Sequence, residues 1–203
     1  MRKNCRLKIV INAPVVIGFV GMSFLAFLCN LVTQGVTNHY LFSVYRAPLS
    51  DPLTYVRIIG HIFGHVDWGH FFGNMTLLLL LGPILEERYG SKKLIFITLV
   101  TAVITGGVSM IFTPSTVLLG ASGVVFCYIV LVSFIKVEGG GIPITSILVA
   151  VVYLGEEFYH VVFADNNISY RTHIIGGIVG AFLGYVLNMQ RKNLKGAQVI
   201  DTI

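Results

Sequence analysis

Charge is missing from long stretches of this chain, and that absence decides what it can fold into. Six runs, near residues 13–33, 68–87, 93–112, 119–136, 142–160 and 172–190, are mostly apolar and close to twenty residues long. About 20 such residues are needed for a helix to cross roughly 30 Å of hydrocarbon. Only 11% of the 203 residues are charged and mean hydropathy is +0.83, whereas soluble domains carry roughly a quarter charged residues. The expected fold is therefore an all-α membrane protein, a six-transmembrane-helix bundle in which residues 1–203 form a single domain. Glu156 and Glu157 interrupt the fifth run, and the reading places them at its outer end.

The net charge of +5 could suggest a nucleic-acid partner, but the basic residues sit at the ends of the apolar runs rather than in a soluble patch. They report topology instead. With the N-terminus inside, the segments 1–12, 86–93, 136–141 and the tail hold eleven Lys and Arg, against three outside (Arg46, Arg57 and Arg171). The N- and C-termini are expected to be cytoplasmic, the partner surface a lipid bilayer, with no nucleic acid. The opening MRKNCRLK before an apolar run resembles a secretory leader. The run from Ile9 to Tyr45 holds no Asp, Glu, Lys or Arg and is far longer than a leader's apolar core, so it reads as a retained first span. Cys5, Cys29 and Cys127 lie at unrelated spacings, which gives neither a disulfide framework nor a metal or redox pair; they read as packing residues.

The one long connection, from about Gln34 to Asp67, is half apolar and punctuated by Pro48 and Pro52. Such a segment is expected to lie in the outer interface as short amphipathic pieces, a long interfacial first loop.

Ionisable and strongly polar groups inside a bilayer are costly, so each is a functional hypothesis. His61, His65 and His70 fall in HIFGHVDWGHFFGN, Asn74 follows His70 by four residues on one helix face, and His173 opens the last run. In the six-span topology every even-numbered span begins outside. His70 and Asn74 start the second, Ser122 the fourth and His173 the sixth, so distant stretches deliver polar groups to one depth. Ser122 sits in Gly-Ala-Ser-Gly. Free N–H groups of a helix's first turn can bind a developing oxyanion, yet a serine there also reads simply as a cap. His173 supplies a general base if spans four and six touch. Gly176, Gly180 and Gly184 share its face as overlapping Gly-xxx-Gly steps that allow close backbone packing, and Gly123 and Cys127 offer a matching stripe on span four. None of the nine acids lies close in sequence to Ser122 or His173 at that depth, so a dyad is expected, with Phe126, one turn after Ser122, stacking on the base. His61 and His65 read as structural groups holding the loop. A metal is not expected, because His61-Ile-Phe-Gly-His65 lacks the Glu of His-Glu-x-x-His.

These residues resemble the rhomboid family: the three histidines and Asn74 leading into the second span, Gly-Ala-Ser-Gly around Ser122, and His173-x-x-Gly176-x-x-x-Gly180. Glu86-x-Arg88 resembles the family's turn after span two, and Arg57 an arginine of its first loop. The correspondence covers about residues 55–190. It implies intramembrane cleavage of single-span transmembrane protein substrates, without a cofactor. Ser122 would be nucleophile and His173 base, with His70, Asn74 and the Ser122 N–H as oxyanion donors. Glu86 and Arg88 would form a turn-stabilising pair. Phe126 departs from the tyrosine of many relatives, and Tyr55-Val56 from the aromatic that often directly precedes the arginine. The location implied is a bacterial inner membrane. The competing reading is a catalytically inactive relative that binds transmembrane helices; a transporter fits less well, since the polar groups cluster at one end.

Overall fold

The computed structural model describes residues 9–113, 116–135, 144, 147–148, 151–153, 155–156, 159 and 168–200. The basic N-terminal residues 2–8, the 136–141 turn and most of the fifth run lie outside the described residues. The described chain is helical: α1 (Pro14–Val32), α2 (Val36–Leu41), α3 (Pro52–Gly60), a 3₁₀ turn (His61–Phe63), α4 (Trp68–Tyr89), α5 (Ser91–Phe112), α6 (Ser122–Val132) and α7 (Ile168–Ile200). Among the described residues, α1, α4 and α5 are long and apolar enough to cross a membrane. No strand occurs among them, only a single antiparallel bridge between Val44 and Leu118.

Local chemistry sets the helix ends. Pro14 opens α1, where its missing N–H costs nothing. Asp67 caps α4, its carboxylate accepting the N–H of His70 at 2.8 Å. Gly90, at φ +82°, alone separates α4 from α5, a backbone turn that a side chain would strain.

The expected pairing of Glu86 with Arg88 does not occur. Glu86 is buried and accepts the N–H groups of Val15 and Val16 at 3.1 and 3.2 Å and the Ser91 hydroxyl at 2.7 Å. It therefore serves as the N-terminal cap that α1 lacks in its own sequence, placing a negative charge at the positive end of that helix. Residues two apart on a helix do not face each other, which is why Arg88 is left out. The only ion pair among the described residues is Arg57 with Asp51.

Lipid tails are as apolar as leucine, so close packing and hydrogen bonds hold membrane helices together. Both are present. α5 carries a buried polar stripe, Thr98, Thr101, Thr105 and Ser109, at spacings of three and four. The three threonine hydroxyls bond to carbonyls one turn back at 2.8 Å, and Thr98 also meets the Tyr128 hydroxyl of α6 at 2.8 Å. Cys127 is buried within α6, whereas Cys29 is exposed on α1 and has no packing role.

α6 is shorter than the apolar run that contains it, and α7 is longer. Eleven residues rise about 16 Å, and all but Ser122 and Val132 are buried. This central helix is wrapped by its neighbours, so its ends need not reach both surfaces. α7 continues past residue 190 because neither Gly nor Pro occurs between Gly184 and Gly196 to stop it.

Candidate active site

The approach to Ser122 is held by the first loop. Val44 and Leu118 exchange N–H···O bonds of 2.8 Å, and the Gly120 N–H donates to the His61 carbonyl at 2.9 Å. Gly120 has φ +126°, in the region that favours glycine. It has a second reason to lack a side chain: a Cβ there would lie 2.6 Å from Nε2 of His70 and 3.8 Å from Nδ2 of Asn74. The two polar groups of α4 therefore lie against the backbone two residues before Ser122, which is the first residue of α6 and is half-buried.

His173 stands in the first turns of α7. Its imidazole lies on the Phe126 ring, centroids 4.4 Å apart and planes 6° from parallel. Tyr170 meets it edge-on at 6.4 Å, and Tyr153 meets the other ring, Phe126, edge-on at 6.1 Å. The helices are close because glycine permits it. A Cβ on Gly176 would strike the Gly123 carbonyl oxygen, and one on Gly180 would sit 2.5 Å from the Cys127 carbonyl oxygen. Further along, Gly184 faces the Phe134 ring. Gly123 in turn leaves space for Thr172 and Thr105, whose methyl groups would lie 3.3 and 3.1 Å from an added Cβ. The first turns of α6 and α7 are thus in contact.

His61 and His65 are buried and make loop contacts. Nδ1 of His61 donates to the Ile58 carbonyl at 2.9 Å, and its Nε2 faces the Thr105 hydroxyl at 3.3 Å. His65 donates from Nδ1 to the Phe63 carbonyl at 3.1 Å, and its Nε2 faces the Asn74 amide nitrogen at 3.2 Å. The two Nε2 atoms have separate partners rather than a shared centre. Burial pushes both imidazoles down to about 4, helped at His65 by the neighbouring His70. Arg57 is buried and braces the same loop. It donates to Asp51 at 2.7 Å and to the Thr54 hydroxyl at 3.0 Å, and it lies 4.7 Å above the Tyr45 ring. The hydrogen bond from Arg57, and then the Leu53 N–H, hold the Asp51 carboxyl below its ordinary value.

Sequence reasoning missed four supports of this site: the Val44–Leu118 bridge, the left-handed turn at Gly120, Thr105, and Asn38, whose amide donates to the His65 carbonyl at 3.0 Å. Only the threonine stripe had a legible signal, its helical spacing. A serine hydroxyl at a helix start, an imidazole on the adjoining helix and side-chain donors beside the intervening backbone are what acyl transfer needs.

The fold and this site define a helical membrane protein in which His70 and Asn74 of α4 lie against the backbone that leads into α6, and His173 of α7 lies on Phe126 of α6. Residues 52–190 match the family model described as the Rhomboid domain, and the chain belongs to the rhomboid family. It is 28% identical over 159 residues to Rhomboid-related protein 2 of Mus musculus, covering 68% of this chain and 53% of the relative. It is 26% identical over 198 residues to Rhomboid protease GluP of Bacillus subtilis, covering 91% and 37%. Rhomboid protease GlpG of Haemophilus influenzae is 26% identical over 140 residues, covering 68% and 72%. The chain spans about half or less of the length of the first two.

Proposed function

We propose that the protein is an intramembrane serine endopeptidase that cuts single-span transmembrane substrates near the outer face. The observation that carries this reading is the packing of the start of α7 on the start of α6, with His70 and Asn74 of α4 against Gly120. In the proposed reaction Ser122 Oγ attacks the scissile carbonyl carbon while its proton passes to His173. The oxyanion that forms accepts hydrogen bonds from the Ser122 N–H, His70 and Asn74. The C–N bond then breaks, the leaving amine takes the proton from His173, and water repeats the sequence on the acyl-enzyme to release the carboxylate. With six spans and both termini cytoplasmic, as the eleven-to-three basic asymmetry implies, the site opens outward in a plasma membrane, the bacterial inner membrane in the simplest case. α6, about 16 Å long, covers about half of a 30 Å hydrocarbon layer. Ser122 then lies below the outer surface, in a cavity that must admit water.

The test is incubation of the purified protein with a generic single-span substrate. Cleavage by wild type that disappears in Ser122→Ala and in His173→Ala is expected. Cleavage that survives Ser122→Ala overturns the assignment, and a wild type that binds such helices without cutting them favours the inactive-binder reading.

A further inference from the structure

We infer that His65 is a positioning residue for the oxyanion site: its Nε2 lone pair takes one amide hydrogen of Asn74 and thereby turns the other toward the backbone that precedes Ser122. The inference rests on the proteolytic reading for its consequence and on the hydrogen bonds alone for its geometry. A carbonyl oxygen can only accept, so the 3.1 Å contact between His65 Nδ1 and the Phe63 carbonyl puts the ring hydrogen on Nδ1. Nε2 of the neutral ring is then bare, and the group facing it at 3.2 Å is the Asn74 amide. Only the amide nitrogen, not the oxygen, can satisfy a bare lone pair.

Each part of the arrangement is fixed from outside. Asn38 holds the His65 backbone carbonyl, and the rings of His70 and Phe71 meet the imidazole edge-on at 5.0 and 5.4 Å. His65 is fully buried and Asn74 nearly so. Burial, with the neighbouring His70, lowers the imidazole to about 4, which keeps it neutral and accepting at ordinary pH. Without that acceptor the amide can turn over. Its oxygen would then face the Gly120 side, and a carbonyl dipole would oppose the negative charge that the site must stabilise. One of the donors to the oxyanion is lost, an effect on the order of 10²–10³ in turnover.

A double-mutant cycle separates this role from a merely structural one. His65→Leu and Asn74→Ala should each lower kcat by roughly 10–1000-fold with KM changed by less than about twofold. The double variant should be no worse than Asn74→Ala alone. His65→Gln, which restores an acceptor oxygen near the position of Nε2, should recover most of the loss. Losses that multiply in the double variant, or a His65→Gln as impaired as His65→Leu, overturn the inference. A nitrogen-15 histidine spectrum of the protein, in the Ser122→Ala background if desired, reads the geometry without any turnover. His65 should appear as the Nδ1–H tautomer, and its Nε2 resonance should move in Asn74→Ala. An Nε2–H tautomer refutes the positioning role whether or not the protein cleaves, whereas an absence of Ser122-dependent cleavage refutes the proteolytic reading alone.

Discussion

Gly180→Ala puts the smallest possible wedge between the helices that carry Ser122 and His173, the proposed nucleophile and base. The added Cβ would lie 2.5 Å from the Cys127 carbonyl oxygen and 3.0 and 3.1 Å from two further backbone atoms of Cys127, whereas ordinary contact begins near 3.4 Å. Backbone cannot rotate aside, so α7 must move away by about 1 Å locally. His173 lies seven residues nearer the start of the same helix, about 10 Å along its axis, and moves with it. A misplacement of about 1 Å can cost on the order of 100-fold in rate. Stability changes less: overpacking costs about 1–3 kcal/mol, and alanine's better helix propensity returns about 1 kcal/mol. Gly21→Ala in α1 is the control, since nothing lies within 4 Å of a Cβ there; only the propensity gain remains, up to about 1 kcal/mol. Turnover and thermal unfolding should be measured side by side in detergent. A Gly180→Ala that cleaves at wild-type rate would show that the α6–α7 contact does not set the relation of Ser122 to His173.

His70→Ala should lower turnover by roughly 10–1000-fold in folded protein, the usual effect of losing one oxyanion donor; unchanged turnover removes His70 from the site. EDTA and 1,10-phenanthroline should leave activity intact, and loss with recovery on adding zinc would replace the dyad with a metal mechanism. Acid should destabilise the fold. His61 and His65 are held near 4 when folded, below the ordinary 6.5, so the unfolded chain binds more protons and stability falls as pH drops from about 6.5 to about 4. Unfolding midpoints that are flat over that window in wild type contradict the buried neutral histidines. Finally, if the small residues of Gly-Ala-Ser-Gly admit only a slim residue just before the cut, replacing that substrate residue by Phe or Val should strongly reduce cleavage near the outer end of the substrate span; product termini located by mass spectrometry check both points.

What could be read from the sequence was what periodicity and composition encode. The apolar runs mark α1, α4 and α5, since length without charge is a direct physical requirement. The spacing of Gly176 and Gly180 marks a face that approaches another backbone, and the two residues meet Gly123 and Cys127. Phe126, one helical turn after Ser122, lies on His173 as its spacing suggests. Glu86 and Arg88 are near in sequence but do not pair, because the stronger attraction for a buried carboxylate is the open N-terminus of α1, about seventy residues away. The length of α6 was equally hidden. An apolar residue beside lipid and one beside another helix look the same in sequence, so a run cannot say where its helix begins.

Two separate frames therefore converge on Ser122. In the proposed dyad the glycine contact of α6 with α7 would set the distance between hydroxyl and imidazole, and it depends on backbones that approach without side chains between them. The proposed donors for the oxyanion would be set by the loop: Val44 grips Leu118, the His61 carbonyl grips Gly120, and His65 grips Asn74. The two frames meet at Thr105, whose hydroxyl faces His61 and whose methyl lies against Gly123, and both end within two residues of the same serine. A change confined to the loop should then weaken stabilisation of the transition state and leave the dyad able to form. A wedge in the glycine stripe should do the reverse. If loop and stripe variants combine multiplicatively in turnover, while His65 and Asn74 variants do not, the site consists of two independently braced halves.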